Sequence, residues 1–186
     1  MSDAEPGNRR GRLLIAAPAL VDPNFRRAVV LMLEHSPDGA LGLVLNRPTP
    51  LVSREALPGN LAEVMPDEER VHQGGPVQPE AVILLADFVD VSQAAAVAFG
   101  SVGIVDPGAE AVRVGGVRAI RAFGGYAGWG GGQLEREVAE ETWLDAAPAT
   151  EDVFTDDHEG LWSRVIDRKG GSWRLIARLP EDPSLN

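Results

Sequence analysis

The side chains able to do chemistry are few and scattered along the chain. His35, His72 and His158 are the three imidazoles, and none of the 186 residues is a cysteine. Without thiols there can be no disulfide, no thiolate-held zinc, no cysteine-ligated iron–sulfur cluster and no cysteine nucleophile. His158 lies in Thr155-Asp156-Asp157-His158-Glu159, where the carboxylates suit a hard cation and the imidazole suits zinc. The segment has neither a HExxH spacing nor the pattern of a calcium loop, and Asp156 and Asp157 fit a helix N-cap at least as well. His35 adjoins Ser36, yet neighbours in a strand point to opposite faces. No GxSxG elbow or SxxK pair supports a serine nucleophile. The glycine-dense run Gly124–Gly132 sits between a predicted strand and a predicted helix, the layout of a phosphate loop. Its residues fail the test. No Gly-Lys-Ser/Thr follows, no GxGxxG can be written, and Glu135 in the first helical turn would repel phosphate. The run reads as a tightly bent connection around Tyr126 and Trp129, with a small-ligand pocket as the alternative.

Composition narrows the partners. Hydrophobic residues at 44% and charged residues at 24% are those of a globular domain able to bury its own core. Seventeen basic and 28 acidic residues leave a net charge of −11. Between Gly131 and Gly160 there are ten acids and one base, so nine of those negative charges fall in one stretch. Phosphate-backbone binding needs Lys and Arg, so nucleic acid is disfavoured unless Arg164, Arg168, Lys169, Arg174 and Arg178 form a basic stripe. The Arg9–Arg12 cluster before the apolar run Leu13–Val21 superficially resembles a secretory signal. Pro18, the preceding acids and the lack of a small-residue cleavage site favour a strand instead. No segment has the ~20 apolar residues that span a bilayer. A cytoplasmic protein, not membrane-bound, is expected.

The elements that must position these residues follow from pattern. Residues 1–11 read as a tail, 12–180 as one domain and 181–186 as a second tail. Arg12–Ala17 predicts a buried strand, and Asp22-Pro23-Asn24-Phe25-Arg26-Arg27 a turn or single helical turn begun by Asp22. Ala28–Glu34 and Leu41–Leu45, joined by Ser36-Pro37-Asp38-Gly39, predict an antiparallel hairpin, since Pro presets φ and Gly accepts positive φ. Val52–Leu57 predicts a short helix with Ser53 as its cap. Strands are expected at Val71–Gln73, Ala81–Ala86, Ser101–Val105 and Ala119–Phe123, with a turn at Asp106-Pro107-Gly108. Ala94–Phe99 fits helix or strand. Helices are expected at Gln133–Glu141 and Glu159–Arg168, the latter ended by Gly170, and a last strand at Trp173–Arg178. Strands early and helices late indicate an α+β fold.

Several separated blocks carry a resemblance. Leu14–Leu20, Asp22-Pro23-Asn24-Phe25-Arg26-Arg27-Ala28-Val29-Val30, Glu34-His35 and Gly39–Pro48 are four of them. Gly74-Gly75-Pro76-Val77, Gly125-Tyr126-Ala127-Gly128-Trp129 and Gly132-Gln133-Leu134-Glu135 follow, then Trp143, Pro148, Phe154 and Trp162. On these the chain is identified as a member of the YqgE/AlgH-like family of bacterial proteins over roughly residues 12–168. The resemblance implies a single α+β domain with a mixed, partly barrel-like sheet surrounded by helices. It implies no catalytic residues and no cofactor, and some members carry a transcriptional-regulator label. The chain departs from the pattern between Ser101 and Val117.

Read physically, the family blocks place Asp22, Arg26, Asn46 and Arg47 at one end of the hairpin, away from Glu34 and His35. There they could meet Gly74-Gly75 or the Tyr126–Trp129 segment. The candidate ligand-binding set is therefore Asp22, Arg26, Asn46, Arg47, Gly74, Gly75, Tyr126 and Trp129, for an anionic or polar ligand. A salt-bridged, capped scaffold is the alternative reading of the same residues. The expected function is non-catalytic binding or regulation through another protein or a small polar ligand. An enzyme acting on a small anionic substrate and a direct DNA-binding regulator are the alternatives.

Overall fold

The computed structural model describes residues 7–106 and 116–176. Ten strands form one sheet: β1 Leu13–Ala16, β2 Val29–Ser36, β3 Gly39–Val44, β4 Pro48–Val52, β5 Arg70–Gln73, β6 Val77–Phe88, β7 Ala96–Phe99, β8 Val102–Ile104, β9 Val117–Gly130 and β10 Trp143–Ala146. The helices are α1 Ser53–Ala56, α2 Gly59–Ala62, α3 Gln133–Ala139, α4 Thr150–Phe154, α5 His158–Lys169 and α6 Trp173–Ile176. The main path runs β10-β1-β2-β3-β9-β6-β8-β7, with β4 and β5 branching from β9. Every pairing is antiparallel except β5 with β9, so the sheet is mixed. The fold is α+β, as expected. The two ends of the path, β10 and β7, do not pair, and the sheet is open rather than closed into a barrel.

The β2–β3 hairpin forms where the Pro-Asp-Gly signal places it, with Ser36 opposite Gly39 and Val30 opposite Val44. Strand β1 is apolar at every position because both its faces are covered. Leu13 and Ile15 join one core with Leu31, Leu43, Phe123 and Val153, together with Leu161, Trp162, Val165 and Ile166. Leu14 and Ala16 face a second core with Val30, Met32, Trp129, Leu134 and Trp143. A third core under β6 and β9 holds Leu84, Ala86, Phe88, Ile120 and Ala122 against Leu57, Leu61 and Met65.

Four expectations are corrected. The Gly124–Gly132 run is not a bent connection, because through Gly130 it forms the second half of the 14-residue strand β9. Glycines on both sides admit neighbouring backbone: a side chain at Gly125 would meet the Gly75 carbonyl oxygen at 2.6 Å, and one at Gly75 the Tyr126 carbonyl carbon at 2.1 Å. Gly125, at φ +69°, also breaks the alternation of β9. Phe123 and Tyr126, three apart, therefore pack into the same core, which a regular strand forbids. Trp173–Ile176 is a helical turn, not the start of a strand. Strands β4 and β10 and helices α2 and α4 were not anticipated, since short segments carry too little periodicity to read. At α1 the cap residue is Val52, and the buried Ser53 hydroxyl has no partner.

The segment at Ala94–Phe99 resolves as strand β7. Arg9 and Gly11, placed in the expected tail, hydrogen-bond to β2 through His35 and the Met32 carbonyl. Residues 1–6, the 107–108 part of the predicted turn, 177–178 and the tail 181–186 lie outside the described residues.

Candidate functional site

Asn46 begins the site. Buried just past β3, it accepts the Val29 N–H at 3.0 Å and donates to the Arg27 carbonyl at 2.8 Å. Those two bonds hold the chain as it leaves the Asp22–Arg27 turn, where Arg27 adopts φ +54°, a left-handed conformation uncommon for a non-glycine residue. The turn is begun as expected, the Asp22 carboxylate accepting the Asn24 N–H at 2.8 Å. Arg47 donates to the Asn46 and Arg26 carbonyls and so braces the turn from the other side. Asn46 is thus a clamp, and its own amide has little left to offer a ligand.

From the opposite wall comes α5. Its Trp162 is buried and donates its indole N–H to the Ala16 carbonyl at 2.8 Å. The Arg27 guanidinium lies 4.8 Å above the same ring, a cation–π contact that orients it. One turn earlier, Asp157 caps the helix by accepting the Gly160 N–H at 2.9 Å, the capping role rather than the metal-ligand role for that carboxylate. The result is a cleft of about 480 Å³ lined by Pro23, Arg26, Arg27, Asn46, Arg47, Pro48, His158 and Glu159. Arg26 is exposed, and among the described residues no carboxylate pairs with it.

Behind His158 lies a polar core centred on Arg121, which is 3% exposed. Its guanidinium meets Glu69 at 2.7 Å and donates to the Val153 and Thr155 carbonyls at 3.0 and 2.9 Å. This ties β9 to the end of α4 and sets where α5 begins. The His72 ring packs edge-on against His158, centroids 4.8 Å apart. A carbonyl can only accept, so the 3.0 Å contact of His72 Nδ1 with the Arg70 carbonyl puts the proton on Nδ1. His72 Nε2 is then a bare lone pair, buried and without a partner, and His158 Nδ1 is likewise buried and unpartnered. Burial, reinforced by the nearby Arg121 charge, pushes His72 down to about 3. The same two causes lower His158, although Asp156, Glu69 and Asp157 oppose them. Both rings are neutral near pH 7, and the 4.0 Å approach of Glu69 to His72 is not an ion pair.

The other histidine makes hydrogen bonds through both ring nitrogens. His35 Nδ1 accepts the Arg9 amide N–H at 3.0 Å, which leaves Nε2–H to donate to Glu135 at 2.7 Å. Both nitrogens are occupied, and Ser36 instead bonds within its own turn.

Of the residues chosen from the sequence, Arg26, Asn46 and Arg47 come together. Asp22 and Trp129 line a different cavity, with Phe25 and Trp143. Gly74 is committed to the sheet: its carbonyl accepts from Val44, and its N–H donates to the Gly124 carbonyl. Gly75 packs on the Tyr126 backbone, and neither glycine nor Tyr126 lines the arginine cleft. Arg27, His158 and the supporting Arg121 were not chosen. Arg27 stood beside Arg26 in the same block and was recoverable, whereas Arg121 carries no local signal. The basic stripe that would have revived nucleic-acid binding does not stand free in its described part. Arg164 pairs with Asp157, Arg168 with Asp152, and Lys169 donates to the Asp145 carbonyl. Among the described residues no helix is long and apolar enough to cross a membrane.

Known proteins carry the same fold. A crystal structure of protein DIP2367 from Corynebacterium diphtheriae superposes with a TM-score of 0.83 at 24% identity, covering 92% of each chain. The solution structure of the AlgH protein from Pseudomonas aeruginosa gives 0.68 at 26% identity, covering 97% of this chain and 98% of that one. A UPF0301 protein of Streptomyces coelicolor is 41% identical over 98% of this chain and 97% of its own length. Another from Chlorobaculum tepidum is 39% identical over 95% of both. The family model described as AlgH-like matches residues 13–174. The resemblance carried by the sequence blocks is therefore real, and the chain belongs to the AlgH-like, UPF0301 family.

Proposed function

We propose that the protein is a non-catalytic binding protein whose arginine cleft takes a small polar anion. One observation carries the reading: Arg26, Arg27 and Arg47 line a single cleft in a chain whose net charge is −11. Three guanidiniums gathered against the overall charge of the molecule create a local positive field, and guanidinium forks match carboxylate and phosphate oxygens. The positive pole of the α5 N-terminus is already met by the Asp157 cap and by Glu159 in the first turn, so the guanidiniums alone carry the reading. Glu159 lines the same cleft and limits how much negative charge a ligand can bring.

Calorimetric titration with inorganic phosphate, sulfate and a small dicarboxylate tests this directly. Saturable binding that Arg26→Ala weakens about tenfold or more supports the reading, since a charge-assisted hydrogen bond is worth ~1.5–3 kcal/mol. Absence of binding by all three anions overturns it.

A second reading, an enzyme acting on a small anionic substrate, draws on the neutral His158 at the same cleft. Turnover of a phosphate ester that His158→Gln abolishes while binding persists would favour it. A DNA-binding role draws no support from the acidic balance or from Arg164 and Arg168, which are paired with carboxylates.

A further inference from the structure

Behind the arginine cleft two buried nitrogens stand without partners, His72 Nε2 and His158 Nδ1. His72 is 1% exposed and comes from β5, while His158 opens α5. Buried polar atoms are paired as a rule, so two orphans on neighbouring rings call for a common explanation. The rings meet at an edge, with centroids 4.8 Å apart and 69° between planes. An N–H···N bond between two imidazoles, ~3 Å from nitrogen to nitrogen, sets their centroids roughly 5 Å apart. The rings already stand at that separation, so the bond needs a change of ring orientation and no closer approach.

The direction of that bond follows from His72. Its Nδ1 donates to the Arg70 carbonyl at 3.0 Å, so its Nε2 can only accept. His158 Nδ1 must then carry the hydrogen, which leaves His158 Nε2 as a lone pair. Nε2 is the outward nitrogen of a ring that lines the cleft. Burial and the Arg121 charge hold both imidazoles neutral near pH 7 against Glu69, Asp156 and Asp157, so no second proton takes up the lone pair. The cleft thus presents two kinds of group. Arg26, Arg27 and Arg47 bring guanidinium donors, whereas His158 Nε2 and the Glu159 carboxylate are acceptors. An anion with only lone pairs to offer suits the first and repels the second. An anion that also carries a hydroxyl group suits both.

We propose that His72 positions His158, as its Nδ1–H tautomer, to accept a hydrogen bond from the hydroxyl group of a small hydroxy acid held in the arginine cleft. This rests on the reading of the cleft as an anion site. Long-range proton–nitrogen NMR spectra of the full-length protein at pH 7 give the tautomer of each imidazole with no ligand present. His158 carries its hydrogen on Nδ1, the opposite of the Nε2–H form that free histidine favours in water. In His72→Leu the His158 signals move to the Nε2–H form. In His72→Gln, whose amide oxygen can stand in for Nε2 as acceptor, they keep the Nδ1–H form.

Calorimetry with succinate, malate and methoxysuccinate measures the consequence for binding. Malate adds a hydroxyl group to succinate, and methoxysuccinate keeps that oxygen without its hydrogen. Malate binds about fivefold more tightly than either, in line with one added hydrogen bond. His72→Leu loses that preference and still binds succinate within about twofold of the wild-type affinity, which separates lost positioning from lost folding. An Nε2–H or mixed tautomer at His158 in the wild-type protein overturns the proposal, by leaving the two buried nitrogens to a bridging water. Equal binding of malate and methoxysuccinate overturns it while the anion cleft stands. If none of the three acids binds, the anion reading falls and this proposal with it.

Discussion

The arginine cleft and the aromatic corner of Phe25, Trp129 and Trp143 share one wall and little else. The Asp22–Arg27 turn sends Pro23, Arg26 and Arg27 to the first, and Asp22 and Phe25 to the second. In the cleft, charge stands at the surface and is held by backbone: Asn46 and Arg47 grip the turn through its carbonyls, and Arg26 itself is exposed. In the corner, Trp129 and Trp143 are core residues before they are anything else, and a half-buried carboxylate, Glu137, fixes both indoles. The difference separates two ways of making a cavity. One carries its charge on an exposed side chain, Arg26, that can be stripped away at small cost. The other is part of the packing, so its rings cannot be removed without a loss of stability.

The strongest break of that comparison is Trp143→Ala. It removes a buried ring and leaves Glu137 without one of its donors, so a loss of about 4 kcal/mol is expected in denaturant unfolding. A loss under about 1 kcal/mol would show that the corner is not part of the core.

Asn46→Ala comes next. The Val29 N–H and Arg27 C=O lose their buried partner, for about 2–3 kcal/mol. Anion affinity should fall with it, because Arg26 and Arg27 are no longer pinned. Unchanged affinity would detach the clamp from the cleft.

The third prediction concerns pH. The folded state holds His72 at about 3, below its ordinary value of 6.5. Between those limits the unfolded chain takes up a proton that the folded chain refuses. His72 thus contributes a stability that is whole above pH 6.5 and declines as pH falls toward 3, by up to about 1.4 kcal/mol per pH unit. His72→Leu should flatten that part of the profile, and an unchanged slope would remove His72 as the cause.

The smallest stability effect belongs to Arg26→Ala, within about 0.5 kcal/mol as for other exposed positions. Anion binding in the same variant should weaken about tenfold or more. A large stability change there would mean that the cleft, too, is built into the fold.

How much of this could be read from sequence follows the range of the interactions. The hairpin was legible because its signal, Pro37-Asp38-Gly39 between two apolar runs, is local. The α5 helix was legible through Leu161, Trp162, Val165 and Ile166 on one face and Gly170 at its end. The meeting of Arg26, Asn46 and Arg47 followed from the register of that hairpin. By contrast, Arg121 meets Glu69 and the Val153 and Thr155 carbonyls across separate elements, and nothing near it in the chain announces this. Glu137 was one of ten acids in the Gly131–Gly160 stretch with nothing local to mark it, because its indole partners reach it through tertiary packing. Trp129 was grouped with Arg26, Asn46 and Arg47, whose cleft it does not line. The glycines around it suggested a loop, where a strand was making room for another strand.

That crossing, where Gly74 and Gly75 lie against Gly125 and Tyr126, bears on how kinship among such chains should be interpreted. A single methyl at Gly75 would fall 2.1 Å from the backbone of the neighbouring strand, so substitution there is vetoed whatever the protein binds. Selection would then keep these glycines in descendants that have exchanged one ligand for another or abandoned ligands altogether. Glycines kept in that way would date the architecture. A change of trade would be written in positions such as Arg26 and His158.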